Sequence, residues 1–247
     1  MDEHGHMIKN PEVLKQKLHL MKMNFASQIG ICEEMQVLDV GCGQGSFTTC
    51  IAKLVGEKGK VVAADITDEY LEEMNENLDK YNVKHLVDFV KADATELSTA
   101  LAFQSFDAAV SYRLIEELTQ PQKMPRIIAE MTKLVRQNGT VALIELSTET
   151  RNEAEENLIK LHRDIGGDYF PTPKEIFQNM KNAGLTKVHV KTVETNIWYS
   201  SEVFLKGAGS QDEIWAELKE KIMEELWSSV EKHGMKYPPI NLFLGQK

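Results

Sequence analysis

Short apolar runs alternate with amphipathic stretches over the first 145 residues of the chain. The runs are rich in valine, isoleucine and alanine and have the length of buried strands. Between them, apolar residues recur at three- and four-residue steps, as on one face of a helix. This alternation predicts an α/β fold with a doubly wound parallel sheet. The predicted strands are 36–40, 61–64, 87–91, 106–111 and 140–144.

The regions that flank this core follow a different pattern. The spacing of apolar residues over 10–30 predicts one amphipathic helix. Ser/Thr-x-x-Glu capping boxes predict that helices start at Thr150, Thr172 and Ser210. The last of these begins a predicted long helix over 210–233. Two further predicted strands, 187–193 and 240–247, complete the pattern.

A glycine-rich turn follows the first predicted strand. The run V-L-D-V-G-C-G-Q-G-S-F occupies residues 37–47 and places an acid, Asp39, before three glycines at alternate positions. Glycine permits a tight turn and lets a ligand approach the backbone closely, and the N–H groups at the start of the next helix face that ligand. An ordinary strand-to-helix turn is the alternative that the local pattern leaves open.

This turn resembles motif I of the class I S-adenosylmethionine (SAM)-dependent methyltransferases, whose pattern is close to V-L-D-x-G-C-G-x-G. A dinucleotide-binding fingerprint would place its last glycine or alanine where this chain has Ser46, and it would not need the acid Asp39. The resemblance implies a Rossmann-like, seven-stranded sheet whose last strand is antiparallel and inserted between the fifth and sixth strands. It also implies SAM as cofactor and S-adenosylhomocysteine (SAH) as product.

Acids also follow the second and third predicted strands. In such folds Asp65 is at the ribose-binding position, where its carboxylate can accept hydrogen bonds from both ribose hydroxyls. The resemblance assigns the adenine to Asp93 and Ala94, with an Asx-turn as the structural alternative for Asp93. The full set of predicted cofactor-binding residues is Asp39, Gly41, Cys42, Gly43, Gly45, Ser46, Phe47, Asp65, Ile66, Asp93, Ala94, Tyr112 and Arg113.

The second half of the chain resembles the ubiquinone/menaquinone-type small-molecule methyltransferases in its order of helix, aromatic loop, helix and Ala-Gly-Leu. We expect one methyltransferase domain over 1–247. Its expected parts are an N-terminal cap helix (1–30), a SAM-binding core (31–200), a helical insertion (201–236) and a final strand (237–247). The insertion departs from the family minimum. It is interpreted as a cap over the acceptor site, a homodimer face through the 210–233 helix, or a helix laid on the sheet.

Methyl transfer from SAM implies an in-line SN2 displacement, for which the protein supplies alignment and a dry site. Whether a general base is needed depends on the acceptor. The catalytic candidates are His162, Tyr169 and Arg113, and Arg113 would serve by neutralising an anionic acceptor. Glu145 and Tyr199 are further candidates for the base, and a solvated surface histidine is the alternative for His162.

Composition narrows the choice of partner and location. A formal net charge of −10 without a strong Lys/Arg run argues against a nucleic-acid partner. Three cysteines without metal-ligand spacing predict reduced thiols, a cytoplasmic location and no metal site, and no apolar run reaches transmembrane length. We therefore predict a SAM-dependent methyltransferase that acts on a small molecule, quinone-like or isoprenoid in character. The alternatives are a SAM-binding protein that does not methylate, and a protein or RNA methyltransferase.

Overall fold

The computed structural model describes residues 7–205 and 212–247, except for the side chains of 212–217. The chain divides into two compact units. The first, called the sheet unit here, consists of Lys22–Glu145, Pro171–Lys191 and Asn241–Lys247. The second, called the helical unit, consists of Met1–Met21, Leu146–Phe170 and Thr192–Ile240.

The described strands are β1 (Gln36–Val40), β2 (Lys60–Asp65), β3 (Val87–Lys91), β4 (Phe106–Tyr112), β5 (Val135–Leu146), β6 (Thr186–Val193), β7 (Trp198–Tyr199), β8 (Met235–Lys236) and β9 (Ile240–Gln246). The described α-helices are α1 (Pro11–Ile29), α2 (Thr48–Val55), α3 (Leu71–Lys80), α4 (Met124–Leu134), α5 (Glu153–Lys160), α6 (Pro173–Asn182), α7 (Ser201–Leu205), α8 (Asp212–Glu225) and α9 (Trp227–His233).

A seven-stranded sheet with the order β3-β2-β1-β4-β5-β9-β6 forms the centre of the fold. The first five strands of this order pair in parallel, and their side chains are buried on both faces of β1 and β4, as the apolar runs require. The strand β9 runs antiparallel to its neighbours. Near its end the Asn138 N–H donates to the Lys247 carbonyl (2.9 Å), and the Thr186 hydroxyl donates to the Gln246 carbonyl (2.9 Å). The predicted Rossmann-like sheet and the place of its last strand are confirmed.

The main hydrophobic core packs one face of this sheet against α4 and α6. Apolar side chains of β1 and α4, spaced at three and four residues along the helix, are fully buried there; examples are Leu38, Ile127, Ile128 and Met131. The helix α2 packs against β1 and β2. Because β1 is held between helices and neighbouring strands, the turn that follows it starts from a fixed point.

The strand β5 begins five residues earlier than predicted. The pair Asn138–Gly139, a dipeptide typical of turns, lies within β5, where Asn138 adopts a left-handed φ of +66°. The pairing of β4 with β5 shifts register between Phe106 and Ala108 at this level. Such an irregularity is a β-bulge, which accommodates the extra residues without ending the strand.

The helix starts of the second half were predicted with mixed success. The Thr172 box is confirmed, because the Thr172 hydroxyl accepts from the Glu175 N–H (3.2 Å) and Glu175 accepts from the Thr172 N–H (2.7 Å). The prediction of a capping box at Thr150 is wrong. Asn152 caps α5 instead, and the Thr150 hydroxyl donates to Glu156 (2.7 Å). The box at Ser210 lies outside the described residues.

The predicted single helix over 210–233 is two helices, α8 and α9. They are separated at Leu226, whose φ of −122° leaves the helical region. The helix α9 is hydrogen-bonded to α5 through Asn157. The Ser229 hydroxyl donates to the Asn157 side chain (2.7 Å), and the Asn157 side chain donates to the Gly234 carbonyl (2.9 Å). These bonds lie within the helical unit. They explain why the segment forms two helices, although its apolar stripe suggested one straight helix. Gly234 ends α9 with a φ of +70°, as predicted.

Candidate cofactor site

The turn after β1 is a glycine cradle. Gly41, Gly43 and Gly45 all adopt left-handed φ values, of +72°, +47° and +70°. The Gly41 N–H donates to the Ala64 carbonyl (2.8 Å), and the Gly45 N–H donates to the Cys42 carbonyl (2.9 Å). Positive φ at alternate positions is costly for any residue with a Cβ, which explains the alternating glycines.

The three glycines have different surroundings. A Cβ on Gly41 would lie 2.7 Å from Leu114, and one on Gly45 would lie 2.3 Å from Met74. A Cβ on Gly43 would meet no protein atom within 4 Å. Close packing therefore accounts for Gly41 and Gly45, whereas Gly43 presents bare backbone to open space, as a surface for a ligand does.

The helix α2 begins at Thr48, so Ser46 and Phe47 belong to the turn. The Asp39 carboxylate, almost fully buried, accepts from the Thr48 hydroxyl (2.6 Å) and joins the end of β1 to the start of α2. The pKa of Asp39 is raised to about 7, chiefly by burial; the Thr48 hydrogen bond lowers it, and the negative charge of Asp65 raises it. Asp39 was predicted to bind the cofactor; in this structure its described partner is Thr48.

Asp65 ends β2 beside the cradle. One carboxylate oxygen accepts from the Gly43 N–H (2.9 Å) and the other from the Thr67 N–H (3.2 Å). A carboxylate offers about four acceptor positions, so these bonds leave capacity for two ligand hydroxyls. Ile66 follows with 62% of its side-chain area exposed. The Asp65 carboxylate could accept hydrogen bonds from a ribose, and the exposed Ile66 side chain could pack against the flat base attached to it.

Asp93 lies in a turn after β3. Its Oδ1 accepts from the Thr95 N–H (2.8 Å) and the Thr95 hydroxyl (2.7 Å), and its Oδ2 lies 3.5 Å from the Lys123 ammonium. The Thr95 bonds, more than the Lys123 charge, hold the pKa of Asp93 below its usual range. The Asx-turn considered as an alternative is therefore present, and Ala94 is half-buried behind it.

The end of β4 carries an aromatic stack and a buried charge network. The rings of Phe47 and Tyr112 stack with their centroids 5.2 Å apart. Arg113 has a left-handed φ of +59°, and its guanidinium pairs with Glu116, which is fully buried. Backbone strain of this kind is found at functional sites. Because Glu116 already balances the charge of Arg113, an anionic acceptor would have to compete for it.

Glu145, considered as a base, is engaged in the same network. Its two oxygens accept from the Ile115 N–H (3.2 Å) and the Glu116 N–H (3.3 Å). Burial, and then the negative charge of Glu116, raises the pKa of Glu145 well above its usual range. These contacts fix the turn after β4 and describe a structural acid better than a base that takes protons from a ligand.

Sequence reasoning missed Lys22. The half-buried ammonium donates to the Ser46 hydroxyl (2.8 Å) and lies 5.4 Å from the centre of the Tyr112 ring. A signal was present, since Lys22 stands four residues after Leu18 and three before Phe25, at a position of the apolar stripe of the N-terminal helix.

The remaining catalytic candidates belong to the helical unit, whereas every predicted cofactor residue belongs to the sheet unit. His162 lies in a π-helical turn, Leu161–Gly166, and its Nδ1 is 3.0 Å from Asp168 Oδ2. Tyr169 is half-buried, and Tyr199 is buried with its ring 6.1 Å from that of Tyr237.

Among the described residues, His, Cys, Asp and Glu side chains form no group of three that could hold a metal ion. The helices of the described ranges are all too short or too polar to cross a bilayer.

Comparison with known proteins identifies the family. A sequence model described as a methyltransferase domain matches residues 31–226, most of the chain. The chain belongs to the methyltransferase-domain family. It is a class I SAM-dependent methyltransferase, and SAM is its cofactor. The bare backbone at Gly43 and the remaining acceptor capacity of Asp65 fit that cofactor.

Individual relatives of this methyltransferase are distant. A demethylmenaquinone methyltransferase from Bacillus cereus is 28% identical over an alignment of 177 positions, which covers 63% of this chain and 72% of the relative. A ubiquinone/menaquinone biosynthesis C-methyltransferase from Cronobacter sakazakii is 32% identical over 120 residues, 48% of this chain and 45% of the relative. A SAM-dependent methyltransferase structure from Aquifex aeolicus has a TM-score of 0.57 at 20% identity, covering 97% of this chain and 99% of its own.

The bare backbone at Gly43 gives a direct test of the site. In Gly43→Ala the added methyl group enters the ligand space, so we expect SAH binding to weaken by about 1–3 kcal/mol, the usual cost of overfilling a packed contact. Gly30→Ala is the matched control, because Gly30 also has a positive φ (+91°) with no protein atom within 4 Å, away from the cradle. Calorimetric titration with SAH checks both variants, and equal affinities would remove Gly43 from the site.

Proposed function

We propose that this enzyme transfers a methyl group from SAM to a carbon of a small, largely apolar acceptor of quinone-like or isoprenoid character. Two relatives support this acceptor class, since their names refer to demethylmenaquinone and to ubiquinone/menaquinone biosynthesis. The similarity to the first relative covers 63% of the chain, more than the cofactor motifs alone. The acceptor proposal does not depend on the fold, because this architecture serves many activities.

The cofactor residues divide the work of holding SAM. We assign the ribose hydroxyls to Asp65, the adenine to Asp93, Ala94 and the exposed Ile66, and the chain beyond the ribose to the backbone at Gly43. When bound, SAM supplies an activated methyl group on a cationic sulfur. The protein's contribution is to fix the geometry of the reacting atoms, which can supply up to about 7–11 kcal/mol.

The proposal of an apolar acceptor rests on the side chains that surround the end of β4. The stacked rings of Phe47 and Tyr112 give this side of the cradle an aromatic surface, and the only guanidinium on it that the structure describes, that of Arg113, is paired with buried Glu116. A flat, uncharged ring would stack on such a surface. A strongly anionic acceptor would gain little from Arg113, because that cation is already paired, and the Lys22 ammonium beside Tyr112 is bonded to Ser46.

Methylation at carbon releases a proton, because a C–H bond of the acceptor is replaced by C–CH3. We propose His162 as the group that takes this proton, directly or from a neighbouring hydroxyl. Asp168, bonded to Nδ1 of the ring, would fix the tautomer and orientation of a general base, as carboxylates do for catalytic histidines. Tyr169 remains a second candidate for this base. A cytoplasmic location and a homodimer through the 210–233 helix remain predictions.

The acceptor class is tested by transfer of labelled methyl from SAM into a native extract, with extract that receives no added enzyme as the blank. Lipid, small polar, nucleic-acid and protein fractions are counted separately. We expect label in the lipid fraction, on a compound whose new methyl is bonded to carbon by NMR. Label confined to the protein or nucleic-acid fraction would contradict the proposal and favour a macromolecular acceptor.

The role of His162 is tested with the acceptor found in that fractionation. We expect His162→Gln to lower kcat by about 10²–10⁴-fold, the usual contribution of general base catalysis, with unchanged SAH affinity. Asp168→Asn should also lower kcat, since it changes the tautomer that the ring adopts. His189→Gln, on the exposed strand β6, is the control. Turnover by His162→Gln within twofold of wild type would leave His162 as a surface residue.

A further inference from the structure

The sheet order indicates which way a bound cofactor extends. The strands β2 and β3, which end in Asp65 and Asp93, lie on one side of β1, and β4 lies on the other. A nucleoside held by these acids therefore occupies the β2–β3 side. The cradle after β1 leads from there to the β4 end, so the amino-acid portion of the cofactor extends toward Ser46 and Tyr112.

Lys22 places an ammonium at that end of the cradle. Its ammonium donates to the Ser46 hydroxyl (2.8 Å) and lies 5.4 Å from the Tyr112 ring centre. In the described part of the chain, Lys22 has no carboxylate within ion-pair distance. Arg113, which follows Tyr112 at this end, differs in this respect, because it pairs with Glu116.

A half-buried ammonium without an anionic partner is held at a cost. Burial lowers the pKa of Lys22 to about 8, an effect that Cys50 opposes and Arg113 reinforces. A ligand that brings a carboxylate to this position removes the cost, whereas a ligand group with a positive charge increases it. SAM has two positive groups, its sulfonium and its amino group, and one negative group, its carboxylate. The carboxylate is the only charged group of SAM that this position attracts.

We propose that Lys22 binds the carboxylate of the amino-acid portion of SAM and SAH, with the Ser46 hydroxyl holding the ammonium in place. Lys22 is then a binding residue that selects the intact amino-acid end of the cofactor. Its charge is the determinant, since a bond between an ammonium and a carboxylate is about twice as strong as a bond between neutral groups. The inference concerns the cofactor alone and does not depend on the identity of the acceptor.

The test compares SAM with decarboxylated SAM, which differs only in lacking the carboxylate. For wild type we expect SAM to bind about 10- to 100-fold more tightly, as a charged hydrogen bond implies. Lys22→Met should lose that factor for SAM, keep the wild-type affinity for decarboxylated SAM, and so bring the ratio near one. Lys22→Arg should restore most of the ratio. Calorimetry at low ionic strength measures each affinity, and no turnover is needed.

Lys53→Met is the matched control. Lys53 also lies over a tyrosine ring, that of Tyr81, at 4.6 Å, but on α2 away from the cradle. It should keep the wild-type ratio. If Lys22→Met weakens both ligands equally, or neither, the proposal is overturned, because Lys22 would then be a structural contact of α1. Should Lys22→Met not fold, Ser46→Ala takes its place, and an unchanged ratio in that variant overturns the proposal as well.

Discussion

The hydrogen bond from the Gly43 N–H to the Asp65 carboxylate is the interaction on which the cofactor site depends. It joins the turn after β1 to the end of β2, and it is possible only because Gly43 adopts a left-handed backbone that leaves its N–H facing the acid. A Cβ at the same position would meet no protein atom, so the glycine serves what binds above it rather than the packing below it. The same carboxylate can then bridge the protein backbone and a ribose.

Buried polar contacts keep this turn rigid. Asp39 joins β1 to the first turn of α2 through Thr48, and Glu145 holds the turn after β4 through the Ile115 and Glu116 N–H groups. Both acids were first considered for direct contact with ligands. Their burial and raised pKa values suggest instead that they position the backbone, since an acid bonded inside the protein fixes a loop at the end of a parallel strand. The chemistry of methyl transfer needs that precision more than it needs a reactive side chain.

The sequence was informative wherever function depends on local backbone geometry. Asp65 and the three glycines could be predicted because strand ends and left-handed turns have local signatures. Lys22 was missed, because its place on the N-terminal helix does not reveal that it contacts Ser46 and Tyr112, which are 24 and 90 residues away in sequence. The break at Leu226 and the β5 bulge at Asn138 were missed for the same reason. Each is stabilised by residues distant in sequence, among them Asn157 for the turn after Leu226. The roles of His162 and Tyr169 remain hypotheses, because a helix turn and an aromatic loop do not identify an acceptor.

The most direct measurement for this account is the SAH affinity of Asp65→Ala, compared by calorimetry with wild type and with Asp68→Ala. Asp68 is an exposed acid three residues further on, paired with Lys91 at 2.8 Å, and its loss should leave SAH binding unchanged. The account predicts that Asp65→Ala loses about 1–3 kcal/mol of binding free energy, because charged hydrogen bonds to the ribose and the order of the Gly43 N–H are both lost. Equal affinities for Asp65→Ala and wild type would contradict it, since the link between cradle and ribose would then have no part in holding the cofactor.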